Sequence, residues 1–188
     1  MAMSSTQPTA PSLGYSTTAI ALHWLLAAMI VGSLGVGWYM VELPMSVQRL
    51  KLYNWHKWAG ITILTLSAAR LLWRLAHPAP ALPTSMPAWQ RMASHASHGA
   101  LYLLFFAIPL LGWAYSSAAG FPIVWFGVLP LPDWVPRSRA LAESLKPWHG
   151  WVAYTLAAIV AVHVAAALKH YFVDKDHILQ RMLPWLKR

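Results

Sequence analysis

The sequence predicts an all-α protein, a four-helix transmembrane bundle with both termini on one side of the membrane. Three observations point there. Of 188 residues, 58% are hydrophobic and only 10% are charged, against about 25% charged in a soluble domain. Four windows are long enough to cross a bilayer, which takes about 20 mostly apolar residues. Those windows also carry histidines at recurring depths, and polar groups in lipid are costly enough to default to a function.

Residues 1–18 are polar, with Ser, Thr and Pro, and are expected to be loosely ordered. The first span, Ala19 to Val41, holds no charge. No Lys or Arg precedes it and no A-x-A site follows, so it is expected to be a retained helix rather than a cleaved signal. A short loop around Glu42 to Lys51 leads to the second span, about Leu52 to Arg74, with Lys57 and Arg70 near its ends. The next segment, "HPAPALPTSMPAW", is too proline-rich to be helical throughout. The third span runs from near Met92 to near Ala119. After it, "GFPIVWFGVLPLPDW" is apolar but broken by Pro122, Pro130 and Pro132. An interfacial or re-entrant segment packed on the protein is expected there. The fourth span runs from Pro147 to about Val173, uncharged as far as Leu168. A membrane domain over residues 19–173 is thus followed by a short basic, amphipathic tail, 174–188.

There are no cysteines. That excludes disulfides, thiolate-held iron–sulfur clusters and covalent c-type haem. The formal charge is +9, but the cations cluster at the ends of apolar spans. There they meet anionic lipid and propionate-type carboxylates, and nucleic acid is not the expected partner. On the terminal side lie Arg70, Arg74, Arg91, Lys169, Lys175, Arg181, Lys187 and Arg188. On the other lie Arg49, Lys51, Lys57, Arg137, Arg139 and Lys146. Eight against six favours termini in the cytoplasm.

The histidines sort by depth. In "WHGWVAYTLAAIVAVH", His149 and His163 are fourteen residues apart, close to four turns, so they share a helix face about 21 Å apart along the axis. His163 and His23 lie toward the terminal side, and His56 and His149 begin their spans on the other. Each layer therefore offers two imidazoles from two helices, as bis-axial haem ligation requires. The residues four after these histidines are small: Ala27, Gly60, Ala153 and Ala167. Small residues let a planar group approach the backbone. Arg70 follows His56 by fourteen residues, with Arg74 one turn on, and His170 follows His163 by seven. These groups are placed to meet propionates or a quinone carbonyl. His95 and His98, at the start of the third span, are alternatives to His23 as partner of His163. A lone buried histidine more often serves packing; the case rests on two layers, two helices per layer and the four-turn spacing. His77 and His177 are expected at the surface.

Taken in order, "ALHWL", "NWHKWAGI", "ARLLWRLAHPAP", "HASHGALYLLFFAIPLLGW", "KPWHGW" and "VHVAAALKHYFVDKDHILQRM" resemble the bacterial cytochrome b561 family from about Tyr15 onward. The resemblance implies two b-type haems in the inner membrane. It implies His23 and His163 as ligands on the cytoplasmic side and His56 and His149 on the periplasmic side. His95 and His98 then support the site without ligating, and His170 lies near a quinone. One type of member is a superoxide oxidase, passing electrons from periplasmic superoxide to ubiquinone. The resulting expectation is a relay from a small anionic donor, or a soluble redox partner, to ubiquinone. Two other classes remain to be weighed: a cytochrome b anchor subunit of a dehydrogenase, and a haem-free scaffold or transporter. Proton-linked transporters tend to carry midplane carboxylates, and no acidic residue lies inside any span.

Overall fold

The computed structural model describes residues 14–84 and 86–186. Residues 1–13, most of the expected polar leader, lie outside the described residues, as do Lys187 and Arg188. Four long helices carry the fold: α1 (Thr17–Glu42), α2 (Val47–Ala76), α3 (Ala88–Ala118) and α4 (Arg139–Lys169). All four are long and apolar enough to cross a membrane.

Three of the four long helices start at a hydroxyl cap, and α3 follows Pro87 without one. The side chains of Ser16, Ser46 and Ser138 accept from the backbone N–H of Ala19, Arg49 and Leu141 at 3.3, 3.2 and 3.3 Å, satisfying donors the helix leaves unpaired. α4 begins eight residues before the expected Pro147, because hydropathy marks the apolar part of a helix while the cap marks its start. α3 ends in a glycine cap. Gly120 has φ 76°, and the N–H groups of Gly120 and Phe121 bond the carbonyls of Ser117 and Ser116 at 3.0 and 2.9 Å.

The helices run alternately up and down, with α1 against α2, α2 against α3, and α3 against α4. A belt of Leu26, Ile30, Ile63, Leu101 and Leu156 joins all four at mid-depth. Leu156 is seven residues from both His149 and His163, so this belt separates the two histidine layers.

The proline-broken segment after α3 is a short hairpin. β1 (Val124–Trp125) pairs antiparallel with β2 (Leu129–Pro130) around Phe126 and Gly127, both at positive φ. Trp58 Nε1 donates to the Val124 carbonyl at 2.6 Å, and Trp125 Nε1 donates to Thr62 Oγ1 at 3.2 Å. The segment is thus packed on α2 rather than spanning.

The tail folds back at the opposite end. α4 passes through one wider turn, His170–Asp174, into a short helical turn, Leu179–Arg181. Trp24 Nε1 donates to the Met182 carbonyl at 2.8 Å, and Arg181 Nη1 to the Ala81 carbonyl at 2.7 Å. Trp73, near the end of α2, donates to Ser16 Oγ at 3.2 Å. The start of α1, the end of α2 and the tail therefore share one end of the bundle, the terminal end.

Candidate functional site

Two imidazole groups stand on either side of the mid-depth belt. Toward the hairpin end, His56 of α2 and His149 of α4 have ring centroids 6.1 Å apart, nearly perpendicular at 89°. His56 Nδ1 lies 3.2 Å from Ser33 Oγ of α1. His149 Nδ1 is buried without a well-formed hydrogen bond, and the Ile108 backbone is the polar group within its reach.

Toward the terminal end three helices contribute. His23 of α1 and His163 of α4 are 6.4 Å apart at 56°. His98 of α3 lies closer to His163, at 5.3 Å, and its Nδ1 donates to the Ser94 carbonyl at 2.8 Å. That bond leaves His98 Nε2 as the nitrogen free to accept. His95 is exposed.

Arg70 sits beside this second group. Its Nε donates to the Tyr102 hydroxyl at 3.2 Å, and its Nη1 is buried without a partner. A cavity at the terminal end is lined by Arg70, Arg74, Trp73, Tyr102, Tyr15 and Met182 among others. His170, expected near a quinone, and its neighbour Lys169 make their contacts with the tail instead of with these arginines. His170 Nδ1 lies 2.7 Å from Asp176 and 3.0 Å from Asp174. Lys169 Nζ lies 2.9 and 2.7 Å from the two oxygens of Asp174. Both residues tie α4 to its own tail.

The chain matches the prokaryotic cytochrome b561 family over residues 14–185. The chain belongs to that family. It is 36% identical to cytochrome b561 homolog 2 of Escherichia coli (strain K12) over 170 residues, 90% of each chain. To the probable superoxide oxidase CybB of Yersinia pestis it is 34% identical over 176 residues, 90% of this chain and 96% of the relative. To cytochrome b561 homolog 1 of Escherichia coli (strain K12) it is 32% identical over 176 residues, 90% of this chain and 97% of the relative.

As a prokaryotic cytochrome b561, the protein is a multi-pass membrane protein that binds haem b and transfers electrons. Its residues fit that group. Metal–imidazole bonds of about 2 Å on each side of an iron put two ring centroids about 6 Å apart, near the 6.1 and 6.4 Å of the two pairs. A Cβ built on Gly60, one turn after His56, meets no atom within 4 Å, so the α2 surface beside His56 is open to a flat group. The unpaired nitrogen of Arg70 suits a carboxylate such as a propionate.

Three residues of this site were missed by sequence reasoning. A Cβ on Gly37 would lie 3.2 Å from His56 Cε1, and one on Gly112 would lie 3.0 Å from His149 Cε1. Each glycine, on the neighbouring helix, seats a histidine ring; Ser33 adds a polar contact to His56. The available signal was cost. Glycine inside a helix loses about 1 kcal/mol relative to alanine, but that cost falls equally on Gly32, Gly35 and Gly60, where an added Cβ meets nothing within 4 Å, so it does not single out Gly37 and Gly112.

Proposed function

We propose that this cytochrome b561 holds two haem b groups, one on His56 and His149 and one on His23 and His163. It would relay single electrons from a donor at the hairpin end to ubiquinone at the terminal end. The observation that carries this reading is the pair of imidazole pairs, each drawn from two helices, on opposite sides of one apolar belt. When bound, haem supplies the one-electron chemistry. The histidines hold it, Gly37 and Gly112 fix ring orientation, and the belt of Leu26, Ile30, Ile63, Leu101 and Leu156 keeps water from between the layers. His98, held by the Ser94 carbonyl, stands beside His163 without ligating in this reading, and His95 stands outside both sites.

The terminal end faces the cytoplasm of a bacterial inner membrane in this reading, following the count of cations. Arg70, Arg74 and Tyr102 line the proposed acceptor cavity for the quinone, while His170 and Lys169 hold the tail at the same end. On the donor side, superoxide is the leading candidate. The hairpin end carries six Lys and Arg against Glu42, Asp133 and Glu143. A cleft of about 590 Å³ there is lined by Tyr115, Arg137, Arg139, Glu143 and Lys146 among others. Lys146 is three residues before His149, and Tyr115 three after Gly112, so the cleft lies about one helical turn outside the His56–His149 layer. Superoxide as donor also agrees with the name of the Yersinia pestis relative.

The test is a coupled assay on purified protein in liposomes, with superoxide supplied outside and ubiquinone in the bilayer. Rapid haem reduction followed by ubiquinol formation is expected. Haem that superoxide leaves oxidised, but that ubiquinol reduces, would reject this donor and keep the quinone link.

A further inference from the structure

The two histidine layers offer the same ligands in different electrostatic surroundings, and α2 makes the difference. Arg70 follows His56 by fourteen residues, just as His163 follows His149. On parallel axes this brings the guanidinium to the depth of His163. Tyr102 holds its Nε at 3.2 Å, while Nη1 stays buried and unpaired. Arg70 is within electrostatic reach of His23, His98 and His163. Arg74 reaches His98 as well.

Among the described residues, no arginine stands at the depth of the other pair. His56 faces His149 and Ser33. Arg49 has a buried, unpaired Nε of its own. It comes seven residues before His56, however, about 10 Å along the axis toward the hairpin end. Its Nη atoms are engaged with the Leu43 carbonyl at 2.6 Å and the Tyr53 hydroxyl at 3.1 Å. Lys57 is turned to the Phe121 and Pro122 carbonyls at 3.5 and 3.3 Å, an exposed contact. Among the described residues, no side-chain carboxylate offsets Arg70 at its depth: Glu42, Asp133 and Glu143 belong to the hairpin end, and Asp174 and Asp176 bind Lys169 and His170. If a haem propionate pairs with Arg70, the guanidinium cancels that negative charge, which favours the reduced form in the same direction.

A bis-histidine ferric haem loses a unit of positive charge on reduction. A fixed cation nearby therefore favours the reduced form, more strongly where the dielectric constant is low. We propose that Arg70 makes the His23–His163 site the higher-potential of the two and so directs electrons from the hairpin end to the terminal end. The inference rests on the two-haem reading above. The step it biases moves one electron between sites, with no bond made or broken.

Redox titration of single-site variants tests it. In a His149→Ala background, Arg70→Gln should lower the midpoint potential of the remaining haem by about 59 mV or more, a tenfold shift for one electron. In a His163→Ala background the same substitution should leave the midpoint in place. Arg70→Lys should restore most of the potential in the first background, which a loss of packing alone would not predict. No shift in the first background, or equal shifts in both, overturns the proposal. If Arg70→Gln prevents haem loading, Arg70→Lys in the full chain decides. A preserved gap between the two midpoints supports the role of charge, and a collapsed gap overturns it. A wild-type chain with a single haem would instead defeat the two-haem reading itself.

Discussion

At the scale of single residues, the site depends on how closely helices approach the histidine rings. The 3.0 Å left between a Gly112 Cβ and His149 Cε1 is tighter than the 3.2 Å at Gly37 and His56. Overpacking of this kind costs about 1–3 kcal/mol. Gly112→Val should therefore displace His149 and lower haem at that layer several-fold, with Gly37→Val milder and the His23–His163 haem retained in both. Quantitative haem spectra of the purified variants check this; equal loss from both layers would count against local seating. That His149 and His163 share a helix face at two depths was legible in the sequence, because fourteen residues on a helix return to the same face; that His98 comes nearer to His163 than His23 does was not. The glycine seats were not, since they act on a ring from a different helix and no spacing within one span reports that. Nor was the contact of Arg70 with Tyr102, 32 residues away. At Gly60, one of the small residues noted one turn after a histidine, an added Cβ would meet no atom within 4 Å.

Among elements, the four spans were legible because an apolar run of that length has no other stable use in a membrane chain. The start of α4 and the hairpin were not. Ser138 sits in a polar stretch that hydropathy ignores, and the hairpin is held by tertiary bonds from Trp58 and to Thr62. The tail is also held by specific contacts. Asp176 joins His170 Nδ1 at 2.7 Å and the Ile178 N–H at 3.0 Å, and its fold brings Met182 to Trp24 and Arg181 to Ala81. A charged hydrogen bond contributes about 1.5–3 kcal/mol, and each 1.4 kcal/mol is about tenfold in a local opening equilibrium. Asp176→Ala should raise tryptic cleavage after Lys175 or Arg181 about tenfold while both haem spectra stay unchanged. Unaltered cleavage would show that the Trp24 and Arg181 contacts hold the tail without Asp176.

For the whole molecule, charge and depth work together. Six cations and three carboxylates at the hairpin end leave 6 − 3 = +3 on the side that the proposed orientation makes periplasmic, where few cations are expected. Within that set Arg139 is paired with Glu143 at 2.7 Å and Arg137 with Asp133 at 3.8 Å. These are exposed pairs, which leave the field of the surface positive. Steering of an anion speeds association and fades with salt. Haem reduction by superoxide should slow as ionic strength rises, and Lys146→Glu should slow it further at low salt. A rate indifferent to both would remove steering from the account and leave the fold and the haems as they are.

The central claim is that the bundle carries two separate haem sites, His56 with His149 and His23 with His163. The most direct measurement is haem content and low-temperature electron paramagnetic resonance of wild type, His149→Ala and His163→Ala. Two low-spin six-coordinate signals are expected in the wild type. His149→Ala should lose one signal and His163→Ala the other, each variant remaining folded in detergent. One signal in the wild type, or loss of the same signal in both variants, would contradict it.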